Sequence, residues 1–291
     1  MGKVLLSITV TILSGLMACA PKAIPPPPQP AKVAIVLGAG AARGFAHIGV
    51  LKILEARNVP IHMVVGTSVG SLVGSLYAFG YNAFQLQTLA LALVRDDLVD
   101  LTLPDNGFVK GEKLENYVNR LVNSTPIEKF RIPFHSMATN IQTGEEMVFG
   151  TGNAGMAVRA SCAIPGVFKP ARISEGTYVD GGLLNPLAVD IARRYGADMV
   201  IAVDISASRD LTVPHGTIDT ILRSVDIMHA KISQLQISGA DVVIRPDVGQ
   251  IGASDFAKRH AAILEGEKAA LAAMPAIQAM LAKLRQEGRI P

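Results

Sequence analysis

The chain has 291 residues, 49% hydrophobic and 18% charged, a size for one large globular domain or two small ones. Its net charge of +3 comes without a Lys/Arg cluster that could follow a phosphate backbone, which argues against a nucleic-acid binder. Two cysteines, Cys19 and Cys162, are too few for a disulfide scaffold.

Residues 1–18 read as a signal peptide. Lys3 supplies the positive start, Val4 to Met17 is apolar, and small residues follow. As a membrane span the stretch is short and interrupted by Ser7, Thr9, Thr11, Ser14 and Gly15. Ala18-x-Ala20 offers an ordinary cleavage site, but Pro21 just after the cut disfavours it. Leu16-Met17-Ala18-Cys19 resembles the lipobox of bacterial lipoproteins. That resemblance implies an acylated Cys19 as the first mature residue, with enough acyl chains for stable membrane anchoring. It also implies a periplasm-facing protein, and Ala20 after the cysteine points to the outer membrane. Residues 19–31 then form a proline-rich tether, extended at about 3 Å per residue. The folded domain is expected over 32–291.

Val33 to Leu37 reads as a buried strand, followed by Gly38-Ala39-Gly40-Ala41-Ala42-Arg43-Gly44 and a helix from Phe45 to Arg57. Gly38-x-Gly40 invites a dinucleotide reading, but the third glycine is replaced by Arg43. The second strand also ends in Gly66 where an acidic residue is needed. The other reading is an anion-binding turn whose N–H groups hold a developing oxyanion, with Arg43 fixing the loop, favouring anionic head groups or making a surface salt bridge.

Ile61 to Val65 is a second buried strand. Gly66-Thr67-Ser68-Val69-Gly70 matches G-x-S-x-G, a tight strand-to-helix turn that lifts a serine clear of the sheet, and a helix over 71–79 stops at Gly80. The two strand–turn–helix units in succession predict parallel neighbours, with the glycine loop and Ser68 at one carboxyl edge.

Asn82 to Val94 reads as an amphipathic helix with Phe84, Leu86, Leu89, Leu91 and Leu93 apolar. Residues 95–110 are irregular, and their Leu98, Val99, Leu101, Leu103 and Phe108 are packed loop residues or a lid over the site. Further on, helices are expected over 112–122, 153–162, 187–195, 218–237 and 256–286, the last broken near Met274-Pro275. Strands are expected over 134–141, 146–149, 177–180, 199–204 and 241–244. This alternation predicts a layered α/β domain.

A serine nucleophile needs a base, and Asp180, at a strand end before Gly181-Gly182, is the acidic candidate, though a plain turn aspartate would look the same. Here four blocks stand in order. They are Gly38–Gly44, Gly66–Gly70, Ala160-Ser161 through Pro165 to Pro170, and Asp180-Gly181-Gly182. Together they resemble the bacterial patatin-like phospholipases over most of residues 32–270. The resemblance implies a three-layer α/β/α domain with a mostly parallel central sheet and a Ser68–Asp180 dyad that cleaves lipid acyl esters. It implies an oxyanion hole in the loop of Gly38, Gly40, Ala41, Arg43 and Gly44, with Gly66 and Gly70 shaping the elbow. No cofactor is required. The family often has three consecutive glycines where this chain has Ala39-Gly40-Ala41. If either alanine must take a positive φ, the hole is poorly formed.

Two other readings stand beside this one. The first is a non-catalytic lipid-binding envelope lipoprotein with the same fold. The second is a Ser-His-Asp esterase on small soluble esters. His215, His229 and His260 follow Asp180 in chain order. His229 and His260 fall in expected helices and read as surface residues, and His47 reads as a packing or hydrogen-bonding residue.

Overall fold

A computed structural model describes residues 28–103, 105–206 and 213–290. The signal segment, Cys19 and most of the tether lie outside them.

Eight strands form one sheet in the order β5-β6-β3-β2-β1-β7-β8, with β4 also paired to β3. The strands are β1 Val33–Leu37, β2 Met63–Thr67, β3 Phe134–Asn140, β4 Glu146–Phe149, β5 Ala171–Ile173, β6 Gly176–Asp180, β7 Met199–Val203 and β8 Val242–Ile244. From β3 through β2, β1 and β7 to β8 the pairing is parallel, whereas β4, β5 and β6 add antiparallel strands at one end.

The apolar strands are explained by burial on both faces. Val33, Ile35 and Leu37 pack into one core, and Ala34 and Val36 into the other. The first core takes helices α1 Phe45–Ala56, α2 Val69–Phe79, α3 Ala83–Ala92, α4 Glu112–Leu121 and α5 Ala154–Ser161. The second takes α6 Val189–Arg194, and α7 Gly216–Gln236 packs near the end of β6. α8 Arg259–Gln286 lies along α1 on the first face. The result is a three-layer α/β/α domain with a mostly parallel sheet.

Several details differ from the sequence expectations. α8 runs unbroken through Pro275. The proline removes one helical hydrogen bond, to the carbonyl of Leu271. Leu271 is exposed, so water can take that bond, while buried Met274, Ile277 and Leu281 keep the flanking turns in the core. β5 is new: three residues were too short to register as a strand, and its pairing with β6 closes over Ser174. α3 buries Leu86 and Ala90, but Phe84 faces solvent.

Residues 95–110 are largely irregular, with a 3-10 turn over Arg95–Asp97 and Val109 bridged to both Leu101 and Phe168. Leu98 is buried, whereas Leu101 and Leu103 are exposed. The segment therefore divides, one part packed and one part facing water. Among the described residues no helix is long and apolar enough to cross a membrane.

Candidate active site

The turn after β2 carries Ser68 in a conformation that few residues adopt, φ 56 and ψ −124. Two neighbours hold it there. The Ser68 N–H donates to Ser161 Oγ at 2.9 Å, and the Ser161 hydroxyl donates to the Met137 carbonyl. Below it, Thr67 Oγ1 donates to the Asn185 carbonyl at 2.9 Å. The elbow glycines allow a very close approach. A Cβ on Gly66 would lie 2.5 Å from Gly70 O, and one on Gly70 would lie 2.0 Å from Leu37 O. The elbow helix therefore rests directly on the end of β1.

Asp180 comes from β6, one strand beyond the β3 that lies beside β2. It ends β6, paired opposite Ala138 of β3, and the next residues turn at once. Its N–H donates to Ala163 O at 2.9 Å and its carbonyl accepts from Thr139 Oγ1 at 3.1 Å. Oδ1 accepts the Gly182 N–H at 2.7 Å. Oδ2 accepts the Ser68 hydroxyl at 2.6 Å. Both side chains are almost wholly buried. Burial raises the Asp180 carboxyl to about 6, although the bonds from Ser68 and Gly182 pull it down.

The glycine loop sits against this pair. Gly38 N–H donates to Val203 O at 3.1 Å and Ala39 N–H to Pro186 O at 2.9 Å. Ala42 N–H donates to Ala253 O. Gly44 lies against Val69, where a Cβ would meet that side chain at 2.2 Å. Among the described residues, the N–H groups of Gly40 and Ala41 donate to no protein acceptor.

Ala41 does take a positive φ, 49, the condition set for a poorly formed hole, yet it lines the cavity beside Ser68 and its N–H has no protein acceptor among the described residues. An L-residue held at such a φ costs about 1–2 kcal/mol. Ala41→Gly is accordingly expected to stabilise the fold by up to about 1 kcal/mol, the relief being partly offset by the freer unfolded chain. Urea unfolding of the two proteins checks this, and a destabilised glycine variant would refute it.

Arg43 overturns the expectations of a surface salt bridge and of contact with head groups. Its side chain is fully buried, paired with Asp226 of α7, and Nε donates to Gly40 O at 3.2 Å. His229 is likewise buried rather than superficial. Its ring lies where a Cβ on Gly182 would be 2.2 Å from Nε2, and burial with the nearby Arg43 charge lowers its pKa to about 4. His47 Nε2 is 2.8 Å from Gly38 O. Neither Ser68 nor Asp180 bonds any histidine among the described residues.

Asp226, His229 and Ser233 form a buried polar stripe on α7 that sequence reading missed. Their spacing of three and four residues was the available signal. An apolar cavity of about 470 Å³ opens beside Ser68, with Ala41 and Cys162 in its wall and Leu72, Leu76 and Leu86 along it. No group of three His, Cys, Asp or Glu side chains among the described residues is placed to hold a metal ion.

The chain resembles known proteins in sequence and in fold. The family model for patatin-like phospholipases matches residues 35–193, more than half of the chain. The chain belongs to the patatin-like phospholipase family, a family of lipid hydrolases.

Two relatives give the scale. Lysophospholipase NTE1 of Pyricularia oryzae is 28% identical over 89% of this chain and 19% of its own length. Patatin-like phospholipase domain-containing protein 6 of Homo sapiens is 36% identical over 60% of this chain and 13% of its own length. The chain thus spans less than a fifth of either relative. In structure it is similar to VipD from Legionella pneumophila, with a TM-score of 0.60 over 87% of this chain and 67% of that one, at 13% identity. That likeness concerns the fold alone.

Proposed function

We propose that the chain hydrolyses acyl esters of phospholipids or lysophospholipids through an acyl-Ser68 intermediate. The observation that carries this reading is the 2.6 Å bond from the Ser68 hydroxyl to buried Asp180, at the wall of an apolar cavity. The cavity suits an acyl chain, and its volume falls within the usual range for small-molecule sites, about 300–1,000 Å³. The similarity to a lysophospholipase supports the same substrate class.

In this mechanism Asp180 takes the hydroxyl proton as Ser68 Oγ attacks the ester carbonyl carbon. The oxyanion is held by the N–H groups of Gly40 and Ala41. The intermediate collapses, the C–O bond to the alcohol breaks, and Asp180 returns its proton to the departing oxygen. Water then attacks the acyl-serine with Asp180 again as base, releasing the fatty acid and restoring Ser68.

The test is turnover of a short-chain nitrophenyl ester and a phospholipid by wild type and Ser68→Ala, with fluorophosphonate labelling of both. Wild type is expected to label and turn over, and the alanine variant to do neither. A folded wild type inert in every assay would sink the hydrolase and favour lipid binding without catalysis.

We also propose that Cys19 is lipid-modified and anchors the domain to the envelope, facing the periplasm from the outer membrane. The lipobox-like Leu16-Met17-Ala18-Cys19 and the proline-rich stretch after it support this. In a bacterial host fed labelled palmitate, wild type should take up label and Cys19→Ser should not. Equal incorporation would refute the attachment site.

A further inference from the structure

The oxyanion loop is braced from a helix outside the family-matched residues. We propose that Asp226 of α7 is a positioning residue for the oxyanion hole, acting through the buried guanidinium of Arg43; the inference rests on the Ser68 reading above.

Gly40 O accepts two bonds from one residue, from Arg43 N–H at 3.1 Å and Arg43 Nε at 3.2 Å. The carbonyl is therefore fixed toward Arg43. A trans peptide is planar, so its C=O and N–H point in opposite directions. Holding Gly40 O on Arg43 turns the Ala41 N–H away from Arg43, and Ala41 lines the same cavity as Ser68. The loop does not rest in this shape at no cost, because Ala41 stays at φ 49.

The outer end of Arg43 needs an anchor. Asp226 provides it, bonding a terminal nitrogen of a guanidinium that is fully shielded from water. The carboxylate does two things at once: it neutralises a buried cation and sets the direction of a planar fork.

α7 is well placed for the task. Its first turns contribute Ile218 and Leu222 to the cavity wall, and His229, one turn after Asp226, abuts Gly182 beside Asp180. One helix thus touches the acyl cavity, the oxyanion loop and the base-bearing turn. Asp226 lies beyond residues 35–193, where the family match ends.

The experiment compares the full-length wild type, Ser68→Ala, Asp226→Asn and the double variant Arg43→Met/Asp226→Leu. Active sites are counted by the endpoint of fluorophosphonate labelling, so unfolded molecules do not enter the rates. The double variant removes both charges together, and such apolar replacements of a buried pair commonly keep the fold.

Asp226→Asn and the double variant are each expected to lose about 100-fold in kcat per labelled site, the scale of a lost oxyanion donor, with KM little changed. Affinity for a trifluoromethyl ketone, which forms a tetrahedral adduct, should fall by a similar factor. A folded double variant with wild-type kcat would overturn the inference and leave the pair a matter of packing. A loss confined to KM would overturn it too, because it would place the effect in the cavity. If the double variant does not fold, Asp226→Asn carries the same reading on its labelled fraction. A wild type inert to ester and fluorophosphonate overturns the Ser68 reading and this inference with it.

Discussion

Asp180→Asn is expected to cut kcat by about 10²–10⁴-fold, the usual contribution of a general base, while making the protein more stable at neutral pH. Both effects have one origin. Asp180 is buried and its carboxyl is raised to about 6, because desolvation outweighs the bonds from Ser68 and Gly182. Only the ionised carboxylate can accept the Ser68 proton. Wild-type kcat/KM should therefore rise with pH and level off above about 6.

Stability runs the other way. A carboxyl whose folded pKa is raised adds stability below its unfolded value, and that contribution is lost as pH climbs through the folded value. By about pH 7 the ionised Asp180 costs the fold about 3 kcal/mol relative to an unperturbed carboxyl. Asparagine stays neutral throughout and keeps an oxygen for the Gly182 N–H. The melting-temperature advantage of the variant should grow from about pH 4 to about pH 7. An advantage independent of pH, or a variant that turns over at the wild-type rate, would count against Asp180 as the buried base.

Gly70→Ala should be severely damaging. The added carbon would lie 2.0 Å from Leu37 O, 2.5 Å from Leu37 C and 2.9 Å from Gly38 O. All three are backbone atoms, so no side chain can swing aside. The elbow helix must move off β1, and with it Ser68 moves away from the oxyanion loop. A loss of about 3 kcal/mol or more is expected, at the upper end of overpacking effects, together with loss of turnover in molecules that still fold. Urea unfolding with active-site titration measures both. Wild-type stability would mean that the elbow and β1 are less tightly apposed than described.

What the sequence made legible was local. The runs Val33–Leu37 and Met199–Val203 are apolar on both faces, and a five-residue window suffices to see that. The elbow announces itself because its glycines sit beside the residue they serve. Ser68 and Asp180 are far apart in the chain, and their pairing in sequence came from the order of four blocks rather than from any periodicity.

The parts that were misread depend on distant partners. Arg43 looks like a surface cation until Asp226 is brought to it. His229 looks exposed on a helix until Gly182 occupies its face. Pro275 looks like a break because its cost is local, while the burial that outweighs it comes from α1 and the sheet. The Ala39-Gly40-Ala41 run did carry a readable warning, since an alanine in such a turn restricts the backbone, and Ala41 does occupy the left-handed region.

The pairing of β1 with both β2 and β7 has a consequence for how the protein is made. β1 leaves the ribosome well before β7, yet one of its two edges is matched only by β7, synthesised after α6. Until then the nascent chain carries a bare, wholly apolar strand edge, a template for pairing with other chains. A product that stops where the family match ends, within α6, would keep Ser68 and Asp180 and still lack the strand that closes the sheet beside β1. The family-matched segment and the complete sheet are therefore different lengths of chain, and a product ending with the match would leave that edge open to pairing with other chains.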